Sequence, residues 1–267
     1  MSGIMDDVRV TAGLTERWFR EVMYAPIAVF VLLGVKPIVW YLLFGSLFEG
    51  ITALPSFPTE SYRSFILPGI GVLMALEYIS LAGQCITEDF SSGFLHKLWS
   101  APINKASAVV GRAIVMGTMI TMQMIVLLGM ALFDGVHFET GIPGMIVFIG
   151  LAVLFTAGTT ALSMMIAYAL KYEFAFSAVA SFLVLPVLFV SNAFMPTGFM
   201  PDWLATIADL NPVSITTTAM RSLVIDGWVM SDLWPAVVLL VAFSIGSSLL
   251  AVAVFNRKVE TESGFGI

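Results

Sequence analysis

Residues 191–226, SNAFMPTGFMPDWLATIADLNPVSITTTAMRSLVID, interrupt two long apolar runs. Pro196 and Pro201 stop a helix that enters from the preceding run, because proline has no backbone N–H and its ring clashes with the turn before it. Residues 202–210 predict a short amphipathic helix at the membrane interface, where tryptophan is enriched. Asn211 and the proline after it end this helix. We therefore expect an amphipathic break between two membrane spans.

The composition places the rest of the chain in lipid. Hydrophobic residues make up 59% of the 267 residues and charged residues only 11%. Runs of about 20 apolar residues predict transmembrane helices. A β-barrel is not expected, since these runs do not alternate. The predicted fold class is therefore an all-α polytopic membrane protein with six transmembrane helices, at residues 27–48, 65–86, 113–133, 145–170, 174–194 and 233–255.

The positions of Lys and Arg predict the orientation in the membrane. If the N-terminus is cytoplasmic, nine basic residues lie on the cytoplasmic side, and only Arg63 and Arg221 lie on the opposite side. Basic residues collect on the cytoplasmic side of membrane proteins. An even number of spans then returns the C-terminus to the cytoplasm. The net charge of −6 does not indicate a nucleic-acid partner.

An amphipathic segment precedes the first span. In residues 14–24, one helical face is apolar and the opposite face carries Glu and Arg. Such a helix lies in the plane of the membrane surface. A simple membrane anchor is one interpretation of this segment. Its apolar face comprises Leu14, Trp18, Phe19 and Val22.

A second segment, residues 88–102 (EDFSSGFLHKLWSAP), links the second and third predicted spans. Leu95, Leu98 and Trp99 lie at helical spacing, so a short helix here presents one apolar face. Such a face suits docking into a groove on a partner protein. The alternative is a loop that merely caps the two spans.

Two charged residues, Lys36 and Glu77, fall inside predicted spans at about the same depth. An isolated charge in lipid is costly, so such residues pair or face a watery cavity. We expect an intramembrane Lys36–Glu77 ion pair. The pair can fix the packing of the first two spans, or it can line a path for a cationic or amphipathic substrate.

The sequence lacks the common catalytic motifs. There is no P-loop (G-x-x-x-x-G-K-[ST]), no H-E-x-x-H and no G-x-S-x-G. The two histidines, His96 and His137, are predicted to lie on opposite sides of the membrane, and Cys85 is the only cysteine. We expect no catalytic residues, no bound metal and no cofactor on this chain. Any ATP hydrolysis must then take place on another polypeptide.

The two quoted segments resemble those of type-2 ATP-binding-cassette exporter permeases, specifically the daunorubicin-resistance kind. The first carries F-M-P, M-P-x-W-L, N-P-V and A-x-R, and the second carries S-G-F-L-x-K-L with a later G-R. The resemblance covers nearly the whole chain. It implies one transmembrane domain over residues 1–267, with a cytoplasmic tail and elbow helix in 1–26, a six-helix bundle in 27–255 and a cytoplasmic tail in 256–267.

The resemblance also implies a function. The chain is expected to be the permease of an ATP-driven exporter in the plasma (inner) membrane, acting in multidrug efflux on a drug, antibiotic or lipid-like molecule. Two P-loop ATPase subunits would bind ATP and Mg, and a second permease copy would complete a homodimer or a close heterodimer. Exporters of polysaccharide or glycolipid share this fold and stay an alternative. A non-transporting scaffold or sensor is the alternative from another class.

The resemblance assigns roles to particular residues. In the elbow helix, the apolar face described above would rest beside the ATPase. The contact with the ATPase would be formed by Glu88, Gly93, Phe94, Leu95, Lys97, Leu98, Trp99 and Pro102. The outer gate would be formed by Met200, Pro201, Trp203, Asn211, Pro212 and Arg221.

Overall fold

The computed structural model describes residues 2–54, 57–59, 61–94, 104, 106–170 and 172–263, with side chains from residue 7 to residue 257 of these ranges. Within them the backbone forms helices, turns and irregular segments, and no strand. The helices are α1 (Ser2–Met23), α2 (Pro26–Leu47), α3 (Tyr62–Ser91), α4 (Ala106–Phe133), α5 (Gly141–Leu170), α6 (Glu173–Phe189), α7 (Asp202–Leu210), α8 (Pro212–Ile225) and α9 (Met230–Ser263).

Helices α3 and α5 form the centre of the bundle. In the apolar part of α3, 83% of the residues are buried, against 11% in α2. Small hydroxyl side chains let α5 lie close to its neighbours, because their hydrogen bonds reach the backbone of the next helix. Thr159 donates to the Ala75 carbonyl of α3 at 3.3 Å, and Ser247 of α9 donates to the Gly158 carbonyl of α5 at 3.0 Å.

Among the residues that the structure describes, five helices are long and apolar enough to cross a membrane: α2, α3, α4, α5 and the part of α9 from Met230 to Arg257. The chain is therefore a multi-pass membrane protein. The fifth predicted span, residues 174–194, contains the shorter helix α6 of 17 residues. Its helix ends at Phe189 because the chain turns away at Val190, and the Asn211 amide donates to the Val187 and Val190 carbonyls, at 2.6 Å each.

Helix α1 begins at Ser2, twelve residues before the predicted amphipathic segment, and packs against the first turns of α4. Trp18 and Leu14 are buried, while Phe19 and Val22 are partly buried against the core. Glu16 and Arg20 form an exposed ion pair on the other face, with 2.5 Å between Oε1 and Nη2. The amphipathic pattern thus buries its apolar face against protein along α4.

Candidate functional site

A buried carboxylate joins three helices at one end of the bundle. The Asp89 side chain is only 2% exposed, and the Arg112 side chain of α4 donates to its Oδ2 at 2.8 Å. From α1, the Trp18 indole N–H donates to the same oxygen at 3.2 Å, and Arg17 donates to Oδ1 at 3.1 Å. We call this cluster of Arg17, Trp18, Asp89 and Arg112 the Asp89 joint, and its side of the bundle the Asp89 end.

The charges of the joint depend on one another. Arg112 is 1% exposed and cannot reach water, so its guanidinium needs the Asp89 carboxylate. The Arg112 guanidinium also lies 4.2 Å from the centre of the Trp18 ring, close enough for a cation–π contact. Helix α1 is therefore fastened to α3 and α4 by a charged contact in addition to apolar packing.

The joint extends to the start of the predicted ATPase contact. The Arg17 guanidinium lies 3.2 Å from the centre of the Phe94 ring. Gly93 ends α3 with a φ of 71°, a left-handed conformation that glycine adopts readily. Glu88 is exposed. The other predicted contact residues, Leu95, Lys97, Leu98, Trp99 and Pro102, lie outside the described residues.

Sequence reasoning missed Asp89 and selected its exposed neighbour Glu88. A signal for Asp89 is present, because it continues the buried face of α3 at spacings of three and four residues after Ile79, Ala82 and Ile86. An acidic residue on a buried face calls for basic partners. Arg112, which follows Gly111 at the start of α4, is the buried partner.

Lys36 of α2 and Glu77 of α3 meet inside the bundle, with 2.5 Å between Nζ and Oε2. Their side chains are 28% and 29% exposed, so the pair lies at the edge of an opening and not in the packed core. The opening is a cavity of about 390 Å³. Its polar lining includes Tyr78, Gln84 and Gln123.

A second cavity of about 500 Å³ adjoins the first and shares Glu77, Val184 and Leu185 with it. Its lining is almost entirely apolar and comes from α2, α3, α6 and the segment leading into α7. We call the two cavities together the cleft. The aromatic and methionine residues of its apolar part are Trp40, Phe44, Phe48, Phe189, Phe194, Met195, Phe199 and Met200.

Aromatic rings hold the apolar part of the cleft together. The Phe44 ring of α2 stacks on Trp40 at 5.3 Å and on Phe194 at 4.8 Å between ring centres. These distances lie in the range in which aromatic pairs stabilise one another. The Tyr62 hydroxyl of α3 also donates to the Phe194 carbonyl at 3.0 Å. The segment after α6 is thus tied to both α2 and α3.

The predicted gate residues lie in different surroundings. Met200 and Pro201 line the cleft, whereas Trp203 is 66% exposed and points away from the packed bundle. Asn211 caps α8 by accepting from the Val213 N–H at 2.9 Å. Pro212 occupies the first turn of α8, where a backbone N–H would have no partner within the helix, so the missing N–H of proline breaks no helical hydrogen bond.

Arg221 of α8 connects the same segment to α3. It donates to the Asn192 carbonyl at 2.9 Å and to the Phe65 carbonyl at 3.3 Å, and its guanidinium lies 3.8 Å from the Phe65 ring centre. Asn192 in turn donates to the Thr218 hydroxyl at 2.8 Å. Arg221 therefore joins the segment after α6 to α3 through hydrogen bonds to both.

A third charged cluster lies at the end of the bundle opposite the Asp89 joint. Arg63, at the start of α3, pairs with Asp134, which follows α4. The Tyr41 hydroxyl of α2 donates to the same carboxylate at 3.1 Å. Sequence reasoning did not bring these three residues together, because they come from three separate parts of the chain.

These features define a multi-pass helical membrane protein with charged joints at both ends of the bundle and a cleft that is polar on one side and aromatic on the other. The sequence profile of the ABC-2 type transporter family matches residues 13–225, and the chain belongs to this family. Permease subunits of ABC transporters are generally not enzymes and work with partner ATP-binding subunits.

Individual relatives agree with this assignment. The chain is similar to a putative transport permease, ycf38, of Cyanophora paradoxa, with 30% identity covering 91% of this chain and 83% of the relative. It is also similar to the daunorubicin resistance ABC transporter permease protein DrrB1 of Streptomyces coeruleorubidus, with 25% identity covering 80% and 75%. A probable doxorubicin resistance permease, DrrC, of Mycobacterium tuberculosis is 22% identical, covering 84% and 78%.

Proposed function

We propose that the chain is the permease subunit of an ATP-driven exporter that moves a hydrophobic or amphipathic molecule, such as a drug, antibiotic or lipid-like compound, out of the cell. The observation that carries this proposal is the cleft. Its two parts have volumes of about 390 and 500 Å³, within the usual range for drug-sized ligands. An apolar body fits among the aromatic rings, while a polar group can lie near Lys36 and Glu77.

The Asp89 joint supports the transmission of force from the ATPase. In this proposal α1 is the elbow helix, and residues 88–102 contact the ATPase at the cytoplasmic side. Arg17 of α1 donates to the Asp89 carboxylate, and its guanidinium lies against the Phe94 ring. Movement of the ATPase therefore pulls α1, α3 and α4 together. ATP and Mg bind to two partner ATPase subunits. The Asp89 end is then cytoplasmic, together with both termini, in the plasma (inner) membrane.

The rest of the arrangement follows from this orientation. Helix α6 acts as the fifth of six spans, and α7 with α8 forms the outer re-entrant segment that closes the cleft. The gate depends on Asn211 and Arg221, because their hydrogen bonds hold that segment to α6 and α3. A second copy of the chain supplies the other half of the path, since the apolar part of α2 is 11% buried and leaves most of its surface free for contact.

Reconstitution tests this proposal. The permease and its ATP-binding partner are placed in proteoliposomes, and ATP-dependent movement of daunorubicin is followed by fluorescence. Phe44→Ala should weaken daunorubicin movement about ten-fold, because it removes the stacked ring that joins Trp40 to Phe194. Leu250→Ala is the matched control, because that side chain is exposed on α9 away from the cleft.

Two results would contradict the proposal. If a labelled glycolipid moves with ATP and daunorubicin does not, the proposed cargo is wrong. If the partner ATPase binds but no cargo moves, or if no ATPase binds, the chain is a scaffold or sensor.

A further inference from the structure

The first span is not a regular helix. Residues Val31–Val35 of α2 form a π-helical turn, and the Lys36 N–H donates to the Val31 carbonyl, five residues earlier. In the same pattern the Leu32 carbonyl would receive the N–H of residue 37. That residue is Pro37, which has no N–H. The Leu32 carbonyl therefore lacks a partner from its own helix.

A side chain from another helix supplies the missing hydrogen bond. Gln123 of α4 donates from Nε2 to the Leu32 carbonyl at 3.0 Å. Gln123 is 1% exposed, and its Oε1 accepts from the Tyr78 hydroxyl of α3 at 3.3 Å. An unpaired backbone carbonyl inside lipid is costly, so this bond fixes α2 against α3 and α4 at one depth.

The same turn determines where Lys36 lies. Lys36 directly follows the π-helical turn, and its partner Glu77 directly precedes Tyr78 on α3. Both contacts line the polar part of the cleft. π-Helical turns are frequently found at functional sites and at helix kinks. We propose that Gln123 is a positioning residue for transport: it holds the π-helical turn of α2 so that Lys36 reaches Glu77, and α2 bends at this turn to open the polar part of the cleft.

The role of Gln123 in transport rests on the proposed function, but the experiment that tests it measures access to the cleft and does not require transport. In a Cys85→Ser background, Ser181→Cys places one thiol in the polar part of the cleft, where Ser181 is a lining residue. The rate at which a water-soluble thiosulfonate labels this thiol is measured in membrane vesicles. Gln123→Leu should raise the rate about ten-fold, the equivalent of losing one buried hydrogen bond.

Pro37→Ala gives the decisive comparison. Alanine restores the N–H at residue 37, so the Leu32 carbonyl regains a partner within α2 and no longer needs Gln123. The double variant Pro37→Ala/Gln123→Leu should therefore label within about two-fold of the parent, a difference of less than half a kcal/mol. Met122→Leu, on the exposed side of α4, is the matched control and should leave the rate unchanged.

The proposal is overturned if Gln123→Leu labels at the parent rate, or if Pro37→Ala does not restore it. A purely structural role for Gln123 would lower stability without changing the labelling rate of folded protein. If Gln123→Leu is not recovered from membranes, the yield and labelling of the double variant decide: recovery supports the proposal, and continued absence overturns it. A permease that shows these labelling changes but moves no cargo would contradict the transport proposal alone.

Discussion

Replacing Asp89 by Asn tests the Asp89 joint with almost no change of shape. The variant loses the negative charge, and the Arg112 guanidinium, 1% exposed, is left buried with no carboxylate. Breaking a buried ion pair by removing one partner costs about 3–5 kcal/mol. The asparagine oxygen can still accept one hydrogen bond, and Arg17, whose side chain is 35% exposed, can turn toward water. We therefore expect a loss near the lower limit, about 3 kcal/mol.

The free energy of unfolding in bicelles, measured by reversible steric trapping, gives this loss directly. Glu88→Gln is the matched control, since it makes the same chemical change one residue away on an exposed side chain, and it should stay within about 0.5 kcal/mol of the parent. Asp89→Leu with Arg112→Met removes both charges and should recover at least half of the loss. The reasoning is refuted if Asp89→Asn and Glu88→Gln have the same effect.

Three further substitutions test other parts of the structure. Gly69→Ala should lower the free energy of unfolding by about 1–3 kcal/mol, because a Cβ would overlap the backbone carbonyl of Ala193 in the segment after α6. Gly129→Ala is the control, because the space around Gly129 is open, and equal effects of the two substitutions would contradict the close approach at Gly69. Lys36→Glu and Glu77→Lys should each abolish daunorubicin movement, and combining them should restore it; failure of the swap would show that the two charges do not act as a pair. Asn211→Leu should cost about 1–3 kcal/mol in the same unfolding assay, since the Val187 carbonyl of α6 and the Val190 carbonyl just after it lose their donor. An unchanged stability would count against this role of Asn211.

The helical architecture could be predicted because long apolar runs admit few structures in lipid. The Lys36–Glu77 contact could also be predicted, because two antiparallel neighbouring helices place residues equally far from their connection at the same depth. Residues 202–210 were predicted as a short helix at the membrane interface, bounded by the prolines before and after it, and α7 has these bounds. Each of these inferences depends on local sequence or on adjacent helices.

The parts that sequence could not provide depend on distant contacts. Asp89, and not Glu88, is buried because α1 docks across the ends of α3 and α4, and Trp18 comes from 71 residues earlier in the chain. The end of α6 is set by the Asn211 amide from beyond the next helix. The π-helical turn directly precedes Lys36 and Pro37, and its Leu32 carbonyl accepts a hydrogen bond from Gln123 on another helix. Rotation and docking of helices decide such contacts, and apolar periodicity does not determine them.

The number of cargo molecules moved for each ATP hydrolysed tests the central claim most directly. In proteoliposomes with the ATP-binding partner, we expect the wild-type chain to move daunorubicin in proportion to ATP hydrolysis. Phe44→Ala should lower the ratio through weaker cargo binding, and Asp89→Asn should lower it while ATP hydrolysis continues. A wild-type ratio of zero, or a ratio that neither substitution changes, would contradict the account of this chain as an exporter permease with its cleft and its Asp89 joint.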